Sequence, residues 1–182
     1  MGSAKENGVR QEERTAMLSV NVGTAIFHRT RGAGRVVDIE TRKWEEEDTR
    51  YLVVEMLAAG YTIRIPETSP DIRPVLSDPN VIFRTLRHQA KSLPDNYKTR
   101  QAEIREAVDS GEPERIAAAA RDLRAYAESE EGNWTTGGKR LYERALKMLD
   151  AEVAASRDWN LTKARDTVRK ALIENTLPAQ VD

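Results

Sequence analysis

The hydrophobic pattern of this chain changes period once, near residues 67–76, and that single change allows few folds. Before it, VNVGTAIF, GRVVDIE, RYLVVEML and YTIRIP are short runs rich in Val, Ile and Tyr, the signature of strands. In the last run, Tyr61, Ile63 and Ile65 alternate with Thr62, Arg64 and Pro66. Four or five such strands within residues 17–66, punctuated by Gly32, Gly34 and Gly60, predict a small antiparallel barrel of the SH3 or Tudor type. The acidic stretch Glu45-Glu46-Glu47-Asp48 is expected to be a solvated turn within it. A barrel of this kind leaves an edge strand to which a partner's strand can be added.

After the change, apolar residues recur at helical spacing over residues 77–182. Ser77 can cap a helix carrying Val81, Ile82, Phe83 and Leu86. Ser92 can cap a second, with Pro94 in its first turn and Gly111 at its end. Pro113 opens a third, and Thr135 or Thr136 a fourth bearing the stripe Leu141, Ala145, Met148, Leu149 and Val153. Asn160 can cap a fifth. Between the halves, ETSPDIRPVL holds two prolines and few helix formers, so residues 67–76 are expected to be a linker. The predicted class is α+β: a Tudor-like domain over 17–66, then an all-α domain over 77–182. Residues 1–16 are polar and are expected to be a disordered extension, with no secretory signal and a Met1-Gly2-Ser3 start that resembles a cloning remnant.

Composition removes whole classes of chemistry. None of the 182 residues is cysteine, which excludes disulfides, thiolate metal sites and thiol nucleophiles. The two histidines, His28 and His88, stand in no nucleophile-elbow or metal-ligand spacing. Gly32-Ala33-Gly34 alone is too short for a phosphate loop. No enzymatic activity, cofactor or metal is expected. No apolar run approaches the roughly 20 residues that cross a bilayer, and the lack of an export signal makes a cytoplasmic protein the expectation.

Charge is more informative in its distribution than in its sum of −1. Residues 84–100 carry five cations (Arg84, Arg87, Lys91, Lys98, Arg100) against one acid, Asp95. Such a patch attracts phosphates. Tyr97 lies within it. The stripe through Ile104 and Val108 offers Tyr97 a place in the core, which pattern alone favours, whereas the cations around it suit an exposed aromatic that stacks on a base.

Three segments in order resemble the CarD/CdnL family of bacterial transcription regulators. IETRKWEEEDTRYLVVEM followed by YTIRIP is similar to the family's long hairpin and closing strand. NYKTRQAEIREAVDSGEPERIAAAARDL matches its helical-domain pattern at Asn96, Arg100, Ser110, Gly111, Arg121, Asp122 and Leu123. TTGGKRLYERALKMLDAEVA matches at Lys139, Arg140, Ala145, Leu149, Glu152 and Ala154. The resemblance implies a barrel that binds the β subunit of RNA polymerase, through Arg42, Arg64 and the strand residues Ile63, Ile65 and Pro66. It implies a helical domain on promoter DNA at the upstream edge of the bubble, stabilising the open complex through Tyr97, Lys98, Arg100, Arg87, Lys91, Lys139 and Arg140. Localisation with polymerase on the nucleoid and a monomeric state are part of that expectation.

Some positions depart from the family pattern. Tyr97 stands where the family carries a wedge tryptophan, fixed by the fourteen-residue step to Gly111, and Lys98 follows it. Gly138 replaces the capping-box acid of the fourth helix. Val22-Gly23-Thr24 and Phe27-His28 differ from the family's usual residues around the first strand. A protein-interaction adaptor with no DNA contact is the alternative, and exposure of Tyr97 separates the two readings.

Overall fold

The computed structural model describes residues 20–44, 47–129 and 132–174; the expected extension over 1–16 and the Glu45-Glu46 turn lie outside them. The alternating half forms one antiparallel sheet of five strands: β1 (Ala25–His28), β2 (Gly32–Trp44), β3 (Glu47–Met56), β4 (Thr62–Pro66) and β5 (Ile72–Pro74), in the order β4-β3-β2-β1-β5. Ile26, Val36, Leu52, Val54, Met56, Ile65 and Ile72 meet on its inner face. A bulge between Val36 and Asp38 inserts Val37, which is exposed. The extra residue shifts the inward phase from Val36 to Ile39, which breaks strict alternation in the sequence.

One expectation about this half is corrected. The stretch expected to be a linker supplies β5, with Ile72, Arg73 and Pro74 opposite His28, Phe27 and Ile26 of β1. Proline is tolerated there because β5 is an edge strand that needs few outward donors. The sheet is not closed by hydrogen bonds: among the described residues β4 pairs only with β3, and β5 only with β1.

The helical half contains α1 (Asn80–Arg87), α2 (Tyr97–Asp109), α3 (Pro113–Glu128), α4 (Thr136–Arg157) and α5 (Leu161–Glu174). Pro113 opens α3, Thr135 Oγ1 accepts the Gly138 amide at 3.0 Å, and Asn160 Oδ1 accepts the Lys163 amide at 2.8 Å, as the sequence suggests. The first two starts differ. Asp78 rather than Ser77 accepts the Asn80 amide, at 3.1 Å. The second helix begins at Tyr97, not near Pro94, because the Asn96 carboxamide oxygen accepts from Lys98 N and Thr99 N. That cap satisfies two of the free amides of the first turn.

The halves share one core. Phe27 and Ala33 of the sheet pack in the same apolar cluster as the helices, and α4 lies against β2 and β1. Gly111, at φ +73°, makes the turn after α2, and a Cβ there would come within 2.8 Å of the Arg29 side chain and 3.0 Å of its Cα. Only glycine adopts this backbone cheaply and leaves room for the β1–β2 turn to approach.

Candidate functional site

Two surfaces carry the residues singled out from the sequence. The first is the outer face of β2, β3 and β4. Strand register places Glu40 opposite Tyr51 and Tyr51 opposite Pro66, with Asp38, Val53 and Arg64 in the next row. Val53 is almost fully buried although it belongs to neither apolar core, so it is covered on this outer face. The Glu40 carboxylate accepts from Arg42 Nε at 2.9 Å, Arg42 Nη2 at 2.7 Å and Arg64 Nε at 3.2 Å. The Arg64 bond, then the Arg42 bonds, hold the Glu40 carboxyl below the ordinary carboxylate range. One carboxylate therefore positions both arginines, and none of the Arg64 Nη donors is spent on it.

Among the described residues β4 is an edge strand beside this cluster, paired only with β3. The closing-strand residues divide. Pro66 is half-buried on the outer face, whereas Ile65 is buried in the sheet core and Ile63 packs against that core. Ile63 and Ile65 can therefore offer a partner their backbone, and their side chains hold the strand in place.

The second surface is the end of the bundle where α2 and α4 begin. Tyr97 is 47% exposed, not part of the Ile104/Val108 core. A Cβ at Gly137 would lie 3.1 Å from the Tyr97 hydroxyl, so that glycine lets the ring lie close to the first turn of α4. Lys98, Lys139 and Arg140 are exposed, and neither first turn contains an acid. Helix N-termini carry positive partial charge, so cations there oppose the dipole and stability alone disfavours them. An anion reverses that sign.

Arg100 does not join this exposed set. It is buried, and its Nη1 donates to the carbonyls of Pro94 at 2.6 Å and Asp95 at 2.9 Å. Its guanidinium lies 4.1 Å from the Tyr126 ring centroid and 6.0 Å from that of Tyr97. It braces the loop before α2 and supports Tyr97 from beneath, a positioning role instead of the expected phosphate contact. Arg100→Ala is expected to lower stability by about 1–3 kcal/mol, read by thermal unfolding, because charged hydrogen bonds to two carbonyls are lost. The salt dependence of any DNA binding should stay as in the wild type.

The basic window is also divided in space. Arg84 and Arg87 lie on α1, which packs against α3 and α5, and Arg87 is paired with Glu174 at 2.7 Å. Tyr97 and Lys98 lie on α2, which packs against α3 and α4. Lys91 is exposed between them, its amide donating to Asp122 at 2.9 Å. Arg87 is thus engaged elsewhere, while Lys139 and Arg140, distant in sequence, follow Gly137, the α4 residue beside the Tyr97 hydroxyl. Sequence reasoning missed Trp134, which precedes the Thr135 cap, is 40% exposed, and packs on Tyr142 with ring centroids 4.9 Å apart. A tryptophan just before a cap was the available signal.

His28 is half-buried, and desolvation lowers its pKa below the usual imidazole value despite the neighbouring Asp71. Among the described residues no group of side chains has the makeup of a metal site, and no helix is long and apolar enough to cross a membrane.

Comparison with known families accounts for both halves. The CarD-like/TRCF RID domain matches residues 20–76, and the CarD C-terminal domain matches residues 81–169. The chain belongs to the CarD/CdnL family. It is an RNA polymerase-interacting regulator of that family. The first match ends at residue 76 and so includes β5, in agreement with the strand pairing that joins this segment to the sheet. The second covers α1 from its second residue, all of α2 to α4 and most of α5, including the starts of α2 and α4.

Proposed function

We propose that this regulator binds the β subunit of RNA polymerase through the β4 edge with Arg42 and Arg64, and promoter DNA at the upstream edge of the bubble through Tyr97, stabilising the open complex. The convergence of two acid-free, cation-bearing helix starts on an exposed Tyr97 carries this reading. Lys98, Lys139 and Arg140 contact phosphates, so the DNA contact is salt-sensitive and largely independent of sequence. Tyr97 stacks on, or wedges against, a base at the fork. Exposure of Tyr97 favours this reading over an adaptor with no DNA contact. The protein acts as a monomer without enzymatic chemistry, on the nucleoid wherever polymerase holds it.

The mechanism is a shift of population. A protein that binds the open complex more tightly than the closed one favours the open state by that difference alone. With a net charge of −1 the free chain binds DNA weakly, and tethering to polymerase supplies the effective concentration. The Arg42–Glu40–Arg64 cluster meets an acidic partner surface while the β4 edge accepts a strand.

The test is open-complex lifetime on a ribosomal-type promoter after challenge with competitor DNA. Wild-type protein is expected to lengthen it. Arg64→Glu is expected to weaken polymerase binding by roughly tenfold or more, since a carboxylate beside Glu40 faces an acidic partner with repulsion. Its effect on lifetime should vanish at concentrations where the wild type acts. Polymerase binding by the wild type with no change in lifetime would leave the adaptor reading standing.

A further inference from the structure

The junction of the two halves holds a cleft that the proposed contacts do not use. It has a volume of about 580 Å³ and lies between the β1–β2 turn (Thr30, Arg31), the β3–β4 turn (Ala58, Tyr61) and α4 (Arg144, Lys147). Three of its lining residues are cations and none is an acid. Arg144 is neutralised by Asp109 at 2.7 Å, and it also donates to the Thr30 carbonyl at 3.3 Å. The Arg31 guanidinium donates to the Tyr61 hydroxyl at 3.2 Å, and among the described residues neither Arg31 nor Lys147 forms an ion pair. Two uncompensated cations and a tyrosine hydroxyl therefore face one concave space. Mutual repulsion in such a cleft is relieved by an anion, and its walls focus the field on it.

The same turn lines a second groove. Arg29, one residue before Thr30, forms one wall of a groove of about 700 Å³ that runs along α2 and ends at Lys98 and Tyr97. The Arg144–Asp109 pair stands where the two depressions meet, since Asp109 lines the groove and Arg144 the cleft. The groove also carries Glu106 and Asp109, which pair with Arg115 and Arg144, and Arg29 pairs with Asp71; Lys98 and Arg105 are its other cations.

We propose that the cleft is a second phosphate-binding site, at which Arg31 and Lys147 hold the backbone of the DNA strand that passes Tyr97. The inference rests on the DNA contact proposed for Tyr97. It gives the sheet domain, through Arg31, its own contact with DNA. The ligand chemistry is a phosphodiester, and a soluble nucleotide shares it.

The test uses the full chain, labelled fork-junction DNA and a KCl series, with anisotropy as readout. Arg31→Gln combined with Lys147→Gln is expected to weaken binding several-fold. It should also reduce the slope of log affinity against log salt by about 1.5, the release from two phosphate contacts. Both residues are surface cations without ion pairs, so the thermal midpoint should hold. Tyr97→Ala should weaken binding and leave the slope unchanged. If Tyr97→Ala weakens binding and the double variant does not, the cleft site is overturned and the Tyr97 contact stands. If neither variant alters DNA binding, both readings fall together. Calorimetry with ATP provides the other arm: ATP binding lost in the double variant, with an unchanged DNA salt slope, overturns the assignment to a strand.

Discussion

Glu152→Ala is expected to lower stability by about 3–5 kcal/mol, the range for breaking a buried ion pair from one side. Glu152 is fully buried on α4. Its carboxylate accepts Arg73 Nη1 at 3.0 Å, Arg73 Nη2 at 3.1 Å and the Leu76 amide at 2.6 Å. Arg73 belongs to β5. It also donates to the Gly111 carbonyl at the end of α2 and lies 4.0 Å from the Phe27 ring centroid. One charge pair therefore ties together the sheet edge, the central helix and the turn that follows α2. Alanine would leave the half-buried Arg73 without its countercharge and the Leu76 amide without its acceptor. For a chain of this size the thermal midpoint should fall by about 6–20 °C. Glu152→Gln should cost less, because its carbonyl oxygen still accepts from Leu76. A loss below about 1 kcal/mol in urea unfolding would instead place the pair among solvent-screened ones.

Tyr97→Ala is expected to shorten the regulator-dependent open-complex lifetime by roughly 5- to 150-fold, the equivalent of a stacking contact of about 1–3 kcal/mol. Polymerase binding should be unchanged, because Tyr97 lies on the bundle and not on the sheet's outer face. The ring is exposed and its hydroxyl lies near Gly137, so truncation leaves no cavity in the core. Tyr97→Trp, which increases stacking area, is expected to lengthen the lifetime beyond wild type. Tyr97→Phe separates the ring from the hydroxyl: full retention assigns the effect to stacking, and a loss assigns part of it to a hydrogen bond. A lifetime indifferent to all three would remove the wedge from the mechanism.

Much of this was legible in the residues before any fold was seen. Tyr97 is the instructive exception. Its spacing to Ile104 and Val108 suggested a core position, yet the helix begins at Tyr97 itself. A first-turn side chain projects past the packed part of the helix, so periodicity overestimates its burial. Arg100 failed in the opposite sense. Charge suggested a surface cation, but the carbonyls of Pro94 and Asp95 and the Tyr126 ring offered enough partners to bury a guanidinium. The prolines of ETSPDIRPVL argued for a linker, and β5 formed because an edge strand tolerates Pro74.

The sequence by itself determined the division into a sheet half and a helical half, the later helix starts and the apolar stripe of α4. These follow from local periodicity and from side chains that cap within three residues. Only the tertiary structure decided which charges are free. Arg42 and Arg64 converge on Glu40 across three strands, Arg87 is taken by Glu174, Arg73 is locked onto Glu152, and Arg31 and Lys147 meet in a cleft 116 positions apart in the chain. The reason is physical: hydrogen-bonded turns and caps are short-range and written locally, whereas the neutralisation of a charge depends on whatever the fold brings within a few ångströms of it.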